Sequence, residues 1–154
     1  MSNILQPLFT AAVGLANLRY FRPPVPGVRT VWHSWQDMHA CLSLPRGLRR
    51  EFHAKLRKEW GKDTRAVMTE AGPTTLAPHF MAQGLIHSMI EVGLAKPDIE
   101  HAYVLGLVAA TKVYHEEMGL TEIEGVNYSL RAFREENGIS GPHPVIQAVR
   151  RDDR

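Results

Sequence analysis

Apolar residues near the start of the chain recur at helical spacing: Ile4, Leu5, Leu8, Ala12, Leu15 and Leu18 fall on one stripe. Such a stripe marks an amphipathic helix that needs a partner surface, and it predicts an amino-terminal helix over 1–21. Arg22-Pro23-Pro24-Val25-Pro26-Gly27 cannot continue that helix, because each proline fixes φ and removes a donor. Residues 22–27 therefore read as a stiff linker. From Val28 to Trp32 the residues Val28, Thr30 and Trp32 alternate to one side, as in a short strand.

Ser34 with Asp37 three residues on fits a capped helix start, predicting a helix from about 35 to 43. Ser43-Leu44-Pro45 reads as a cap and a proline first turn, after which Leu48, Phe52, Leu56 and Trp60 recur every fourth residue up to Gly61. Segments 64–70 and 74–80 flank Ala71-Gly72-Pro73 as a hairpin, with Pro78 making the second strand either an edge or irregular. Leu85, Ile86, Met89 and Ile90 place a helix over 81–92. Lys96-Pro97-Asp98 opens another, apolar around much of its surface and expected to be the central core helix. Thr121 and Glu124 form a capping box for a last helix over roughly 122–136, stopped at Asn137-Gly138. The expected fold is α+β: a predominantly helical single domain over 28–138 with a small antiparallel sheet or hairpin, the amino-terminal helix before it and a mobile tail over 139–154.

A chain of 154 residues buries enough surface for one real core. Its lone cysteine, Cys41, rules out an intrachain disulfide framework and points to a reducing, cytoplasmic setting. No positive side chain precedes Arg19, so the charged start of a secretory signal is missing and an ordinary helix is expected there. No run approaches the roughly 18 apolar residues of a membrane span.

The net charge of +2 conceals an asymmetry. Between Arg46 and Arg65 eight basic residues (Arg46, Arg49, Arg50, Lys55, Arg57, Lys58, Lys62 and Arg65) stand against three acidic ones, a balance of +5. From Asp98 to Glu136 eight acidic residues stand against three basic ones, a balance of −5. Arginine and lysine that neutralise phosphates supply most non-specific DNA affinity, and arginine also reads guanine edges. The eight basic residues are thus the candidate nucleic-acid contacts. A solvated face with snorkelling side chains and an acidic protein partner are the competing explanations. A short helix, a break and a longer basic helix over 35–60 suit a helix-turn-helix, with proline where glycine is usual.

The run Trp32-His33-Ser34-Trp35-Gln36-Asp37-Met38-His39-Ala40-Cys41-Leu42-Ser43-Leu44 resembles the opening signature of BRO-N-type phage antirepressor domains. The matching positions are Trp32, Asp37, Met38 and Leu42. Gly72, and then Gly84-Leu85-Ile86 with Met89-Ile90, are similar to that family's later positions, and the likeness covers roughly residues 28–95. Gln83 and Ile86 depart from the glutamate and aromatic residue common there. The resemblance implies transcription control, by contact with DNA or by disabling a repressor.

Catalytic patterns are incomplete. His115-Glu116-Glu117 lacks a second histidine, Cys41 has only His39 nearby, and neither a Gly-rich phosphate loop nor G-x-S-x-G occurs. Neither a metal site nor a cofactor is expected. Trp32, Trp35 and Trp60 at element borders read as core rather than as base-stacking platforms. The expected function is a small non-enzymatic regulator of phage or mobile-element type that binds DNA through a basic helix over about 46–62. The alternative is an antirepressor that captures a host or viral regulator without touching DNA. A homodimer through the amino-terminal helix or the acidic segment is a further candidate.

Overall fold

The computed structural model describes residues 3–136 and residue 138. The tail expected over 139–154 lies outside the described residues.

The amino-terminal stripe folds as a hairpin, not a helix. Strands β1 (Phe9–Val13) and β2 (Ala16–Phe21) pair antiparallel with Val13 opposite Ala16, leaving Gly14-Leu15 as the turn. Gly14 has φ +62°, the left-handed conformation that the first position of such a turn requires and that glycine adopts freely. Within each strand the pattern has period two: Phe9, Ala11 and Val13 in β1 and Ala16, Leu18 and Tyr20 in β2 belong to or pack on the main core, whereas Leu15 is 87% exposed at the turn. The expected helix over 1–21 is thereby overturned: its described residues form strands β1 and β2 and no helix.

The proline-rich stretch is a loop within the sheet rather than a linker between parts, since Phe21 in β2 pairs with Trp32 in β3 (Trp32–Ser34). Strands β4 (Arg65–Thr69) and β5 (Gly72–Ala77) complete an antiparallel sheet of order β1-β2-β3-β5-β4. β5 is therefore interior, not an edge. Pro78 lies just past its end, and Pro73 sits where β3 no longer reaches, so neither proline breaks a ladder shared with both neighbours.

The sheet is strongly curled. The amide of Leu5 donates to Met68 O on edge strand β4 at 2.8 Å, and Leu8 donates to Tyr20 O at 2.8 Å before the chain enters β1 at the opposite edge. Four flat strand spacings measure about 19 Å, but the chain from Leu5 to Phe9 reaches only roughly 14 Å. The edges must approach for that segment to join them. One face of the sheet holds Phe21, Trp32 and Leu76 under Leu5, Val25, Val28 and Val67. The other carries the main core, with Tyr20, Met38, Ile86 and Tyr103.

Helices α1 (Trp35–Cys41), α2 (Arg46–Glu59), α3 (His79–Glu91), α4 (Asp98–Glu117) and α5 (Glu122–Glu136) follow the predicted order closely. Ser34 Oγ accepts from the Asp37 amide at 3.2 Å, and Thr121 and Glu124 cap α5 reciprocally. α4 lies along β1. Tyr20 Oη donates to Tyr103 O at 2.8 Å, and a Cβ at Gly106 would meet that hydroxyl at 2.5 Å. The expected core helix is covered on one side only, for Leu105 and Val108 are 57% and 61% exposed. The whole is an α+β single domain, as expected, in which helices make up about half of the described residues beside an antiparallel sheet of five strands, so "predominantly helical" and "small" fit it only loosely.

Candidate nucleic-acid interface

The site is built on the turn between α1 and α2. Ser43 has φ +51°; its amide donates to Ala40 O at 3.1 Å and the Leu44 amide donates to His39 O at 3.2 Å. These bonds form a Schellman closure in which serine takes the place usual for glycine. Ser43 therefore ends α1 rather than capping α2, and Pro45 precedes the first residue of α2 without a side-chain cap. Arg49 Nε donates to Leu44 O at 2.8 Å, which ties α2 back to this turn.

Leu48, Phe52 and Leu56 turn toward the core, with Leu56 buried. At about 100° per residue, Arg46, Arg49, Arg50, His53 and Arg57 share an arc of roughly 100° beside that stripe, with Glu51 and Glu59 outside it. The arc faces a cleft of about 500 Å³ lined by Gln36, His39, Arg49, Arg50, His53, Ala54 and Arg57. No carboxylate among the described residues lines it. Asp37, next to Gln36 in sequence, is held by Arg19 through Nε to Oδ2 at 2.7 Å and Nη2 to Oδ1 at 3.0 Å.

His39 forms part of the wall. It is 4% exposed, its ring lies 4.7 Å from that of Trp35, and its Nε2 has no hydrogen-bond partner among the described residues. Burial, and then the positive neighbours His53 and Arg49, push its pKa down to about 4. The ring is thus neutral at pH 7.

All eight predicted basic residues are exposed, but they form three groups rather than one face. Arg49, Arg50 and Arg57 meet at the α1–α2 cleft, with Arg46 on the same arc. Lys55 lines a separate apolar cleft of about 340 Å³ between α2 and α3, beside Trp60 and Phe80. Lys62 and Arg65 line a third of about 250 Å³ that also holds Asp63 and Glu136. Lys58 lies outside the three clefts. Gln36, His39 and His53 belong to the site and were not among the predicted contacts. The spacing of Arg49, His53 and Arg57 every fourth residue was the available signal for His53.

Trp32 and Trp35 are buried as expected, whereas Trp60 is 39% exposed, its ring 6.0 Å from that of Phe80. Cys41 is buried, and burial pushes its thiol up to about 12, so it stays protonated and a poor nucleophile. Among the described residues no group of three or more His, Cys, Asp or Glu side chains is placed to hold a metal. His87 Nε2 instead meets Glu100 Oε1 at 2.6 Å, and His79 Nδ1 meets Tyr103 Oη at 2.7 Å. No helix among the described residues is long and apolar enough to cross a membrane.

An α+β domain with an arginine-lined cleft between two helices is the description that fold and site together support. Compared with protein-family models, with curated proteins and with solved structures, the chain finds no match. The resemblance to BRO-N-type domains rests on the sequence positions quoted above.

Proposed function

We propose that the chain is a small non-enzymatic regulator of phage or mobile-element type that acts in the cytoplasm and binds DNA through α2. One observation carries this reading: Arg49, Arg50 and Arg57 converge on a cleft, and among the described residues no carboxylate lines it and none of the three has an ion-pair partner. Guanidinium groups left unpaired in a concave site are suited to phosphate, which they bind through parallel N–H donors. Phosphate contacts from α2 would set position on the duplex, and one or two arginines reaching base edges would set specificity. The BRO-N resemblance points to the same class of regulator.

Fluorescence anisotropy with a mixed-sequence duplex at about 50 and about 200 mM salt tests the reading, because several phosphate contacts cost orders of magnitude in affinity between those levels. Steeply salt-dependent binding that disappears in the Arg49→Glu, Arg50→Glu variant is the expected result. No binding even at the lower salt sinks it.

A second reading, capture of a regulator protein without DNA contact, is favoured by the α4–α5 face. Leu105 and Val108 are exposed on α4, as are Val126, Leu130 and Phe133 on α5, beside a groove of about 1050 Å³. Exposed apolar patches of this kind mark protein interfaces, and a second copy of the chain is a candidate occupant. On this reading Leu105→Asp with Val108→Asp abolishes assembly, whereas Arg49→Glu with Arg50→Glu leaves it intact, as read by light scattering with and without a purified repressor.

A further inference from the structure

From the α1–α2 cleft we infer a seat for a single phosphate group, held by the guanidinium groups of Arg49, Arg50 and Arg57 and by a hydrogen bond from His39 Nε2. The seat depends on the nucleic-acid reading only for the macromolecule that carries the phosphate.

Two independent features converge here. The first is uncompensated charge: three arginines, His53 and Gln36 surround about 500 Å³ with no acid among the lining residues. Elsewhere the chain pairs its arginines readily, through Arg19 with Asp37, Arg22 with Glu117 and Arg29 with Glu135. The second is an orphaned polar atom: His39 lines the same cleft, and its buried Nε2 has no hydrogen-bond partner among the described residues. Buried polar atoms are nearly always hydrogen-bonded, so an exception calls for a partner. As the N–H tautomer, neutral imidazole donates one bond to a phosphate oxygen and adds no charge to a crowded cationic site.

Arg49 already spends Nε on Leu44 O, which fixes its plane and leaves the two terminal nitrogens to turn toward the cleft. Arg50 and Arg57 have no such tether among the described residues and can close on the anion. The cleft is within the size range of small-molecule pockets, so it admits a phosphate together with the sugar attached to it. The group is either an internal phosphodiester of a nucleic acid or a terminal phosphomonoester, which carries close to two charges at neutral pH.

The test is an NMR titration of the full chain with inorganic phosphate at constant ionic strength, following His39 Nε2 and the amides of α2. Saturable shifts centred on the cleft are expected at about 1 mM phosphate, with the Kd raised about tenfold in the Arg50→Gln, Arg57→Gln variant. Both substitutions are at exposed positions, and the amide spectrum reports whether the fold survives. Drift that follows ionic strength alone, or saturation unchanged in that variant, overturns the seat. Duplexes with a 5′-phosphate or a 5′-hydroxyl separate the sources: preference for the first assigns the terminal group, and equal binding that phosphate displaces assigns the backbone. Duplex binding without phosphate saturation removes the seat and leaves the α2 reading standing. Phosphate saturation without duplex binding does the reverse.

Discussion

The chain uses its arginines in two ways. Arg19 on β2 grips both oxygens of Asp37, donates a third bond to Thr69 Oγ1 at 2.9 Å, and lies partly buried where the sheet curls. Arg22 and Arg29, on the loop before β3, reach across to Glu117 and Glu135 and so fasten the sheet to α4 and α5; Arg29 also lies 5.1 Å from the Tyr128 ring. Arg46, Arg49, Arg50 and Arg57 on α2 hold no carboxylate among the described residues. The first group spends its charge inside the molecule. The second leaves it facing solvent, with Arg49, Arg50 and Arg57 lining a concave site open to an external anion. Mutation should then divide the two groups cleanly, one registering in stability and the other in binding.

Acid should act most strongly, because it adds charge where no partner waits. Burial holds His33 at about 3 and His39 at about 4. Both values are lowered, so between those values and the ordinary 6.5 the unfolded chain binds more protons than the folded one. Stability is therefore full above about pH 6.5 and falls as pH drops, by several kcal/mol at pH 4; urea melts across pH 4–8 measure it, and a flat profile contradicts the placement of these rings. Next, Asp37→Asn strips Arg19 of its carboxylate at a partly buried position and should cost roughly 2–3 kcal/mol in urea denaturation, with duplex affinity per folded molecule unchanged. Arg49→Glu with Arg50→Glu should do the opposite. Duplex affinity at about 50 mM salt should fall on the order of 100-fold, while stability moves by no more than about 1 kcal/mol, the loss of the Arg49 Nε bond to Leu44 O included. The smallest effect belongs to Arg22→Gln: its pair with Glu117 is exposed, and its loss should change stability by less than about 1 kcal/mol, a shift that thermal melts can bound.

The parts of the fold that local chemistry decides were readable in the sequence. Ser34 and the Thr121–Glu124 box start their helices where expected, and α2 to α5 lie within a few residues of their predicted ranges. The amino-terminal hairpin was not readable in the same way. Leu8, Leu15 and Leu18 satisfy a helical spacing while Phe9, Ala11 and Val13, and again Ala16, Leu18 and Tyr20, satisfy a period of two, and what decides between them is distant: β2 pairs with β3, and a Cβ at Gly14 would strike Cys41 O at 2.5 Å. Gly14 was the one local sign. The interior place of β5 likewise depends on topology, since Pro78 pointed to an edge or an irregular strand but falls outside the strand.

For the site, the basic residues and their exposure were legible and their grouping was not. Helical geometry puts Arg49, His53 and Arg57 on one arc, but the cleft exists only because Ser43 adopts a left-handed conformation and sets α2 against α1. A serine there carries no signal of that turn. His39, on the opposite wall, belongs to the site for the same reason.

The central claim is that α2 arginines left unpaired by the fold are spent on phosphates, and the salt dependence of duplex binding tests it most directly. Plotted as log K against log salt, the wild-type chain should give a steep negative slope, and each of Arg49→Gln, Arg50→Gln and Arg57→Gln should reduce its magnitude by about 0.9. Arg22→Gln, in the paired group, should leave the slope unchanged. A slope that the three α2 substitutions do not alter, or that Arg22→Gln reduces equally, would contradict the division between the two sets of arginines.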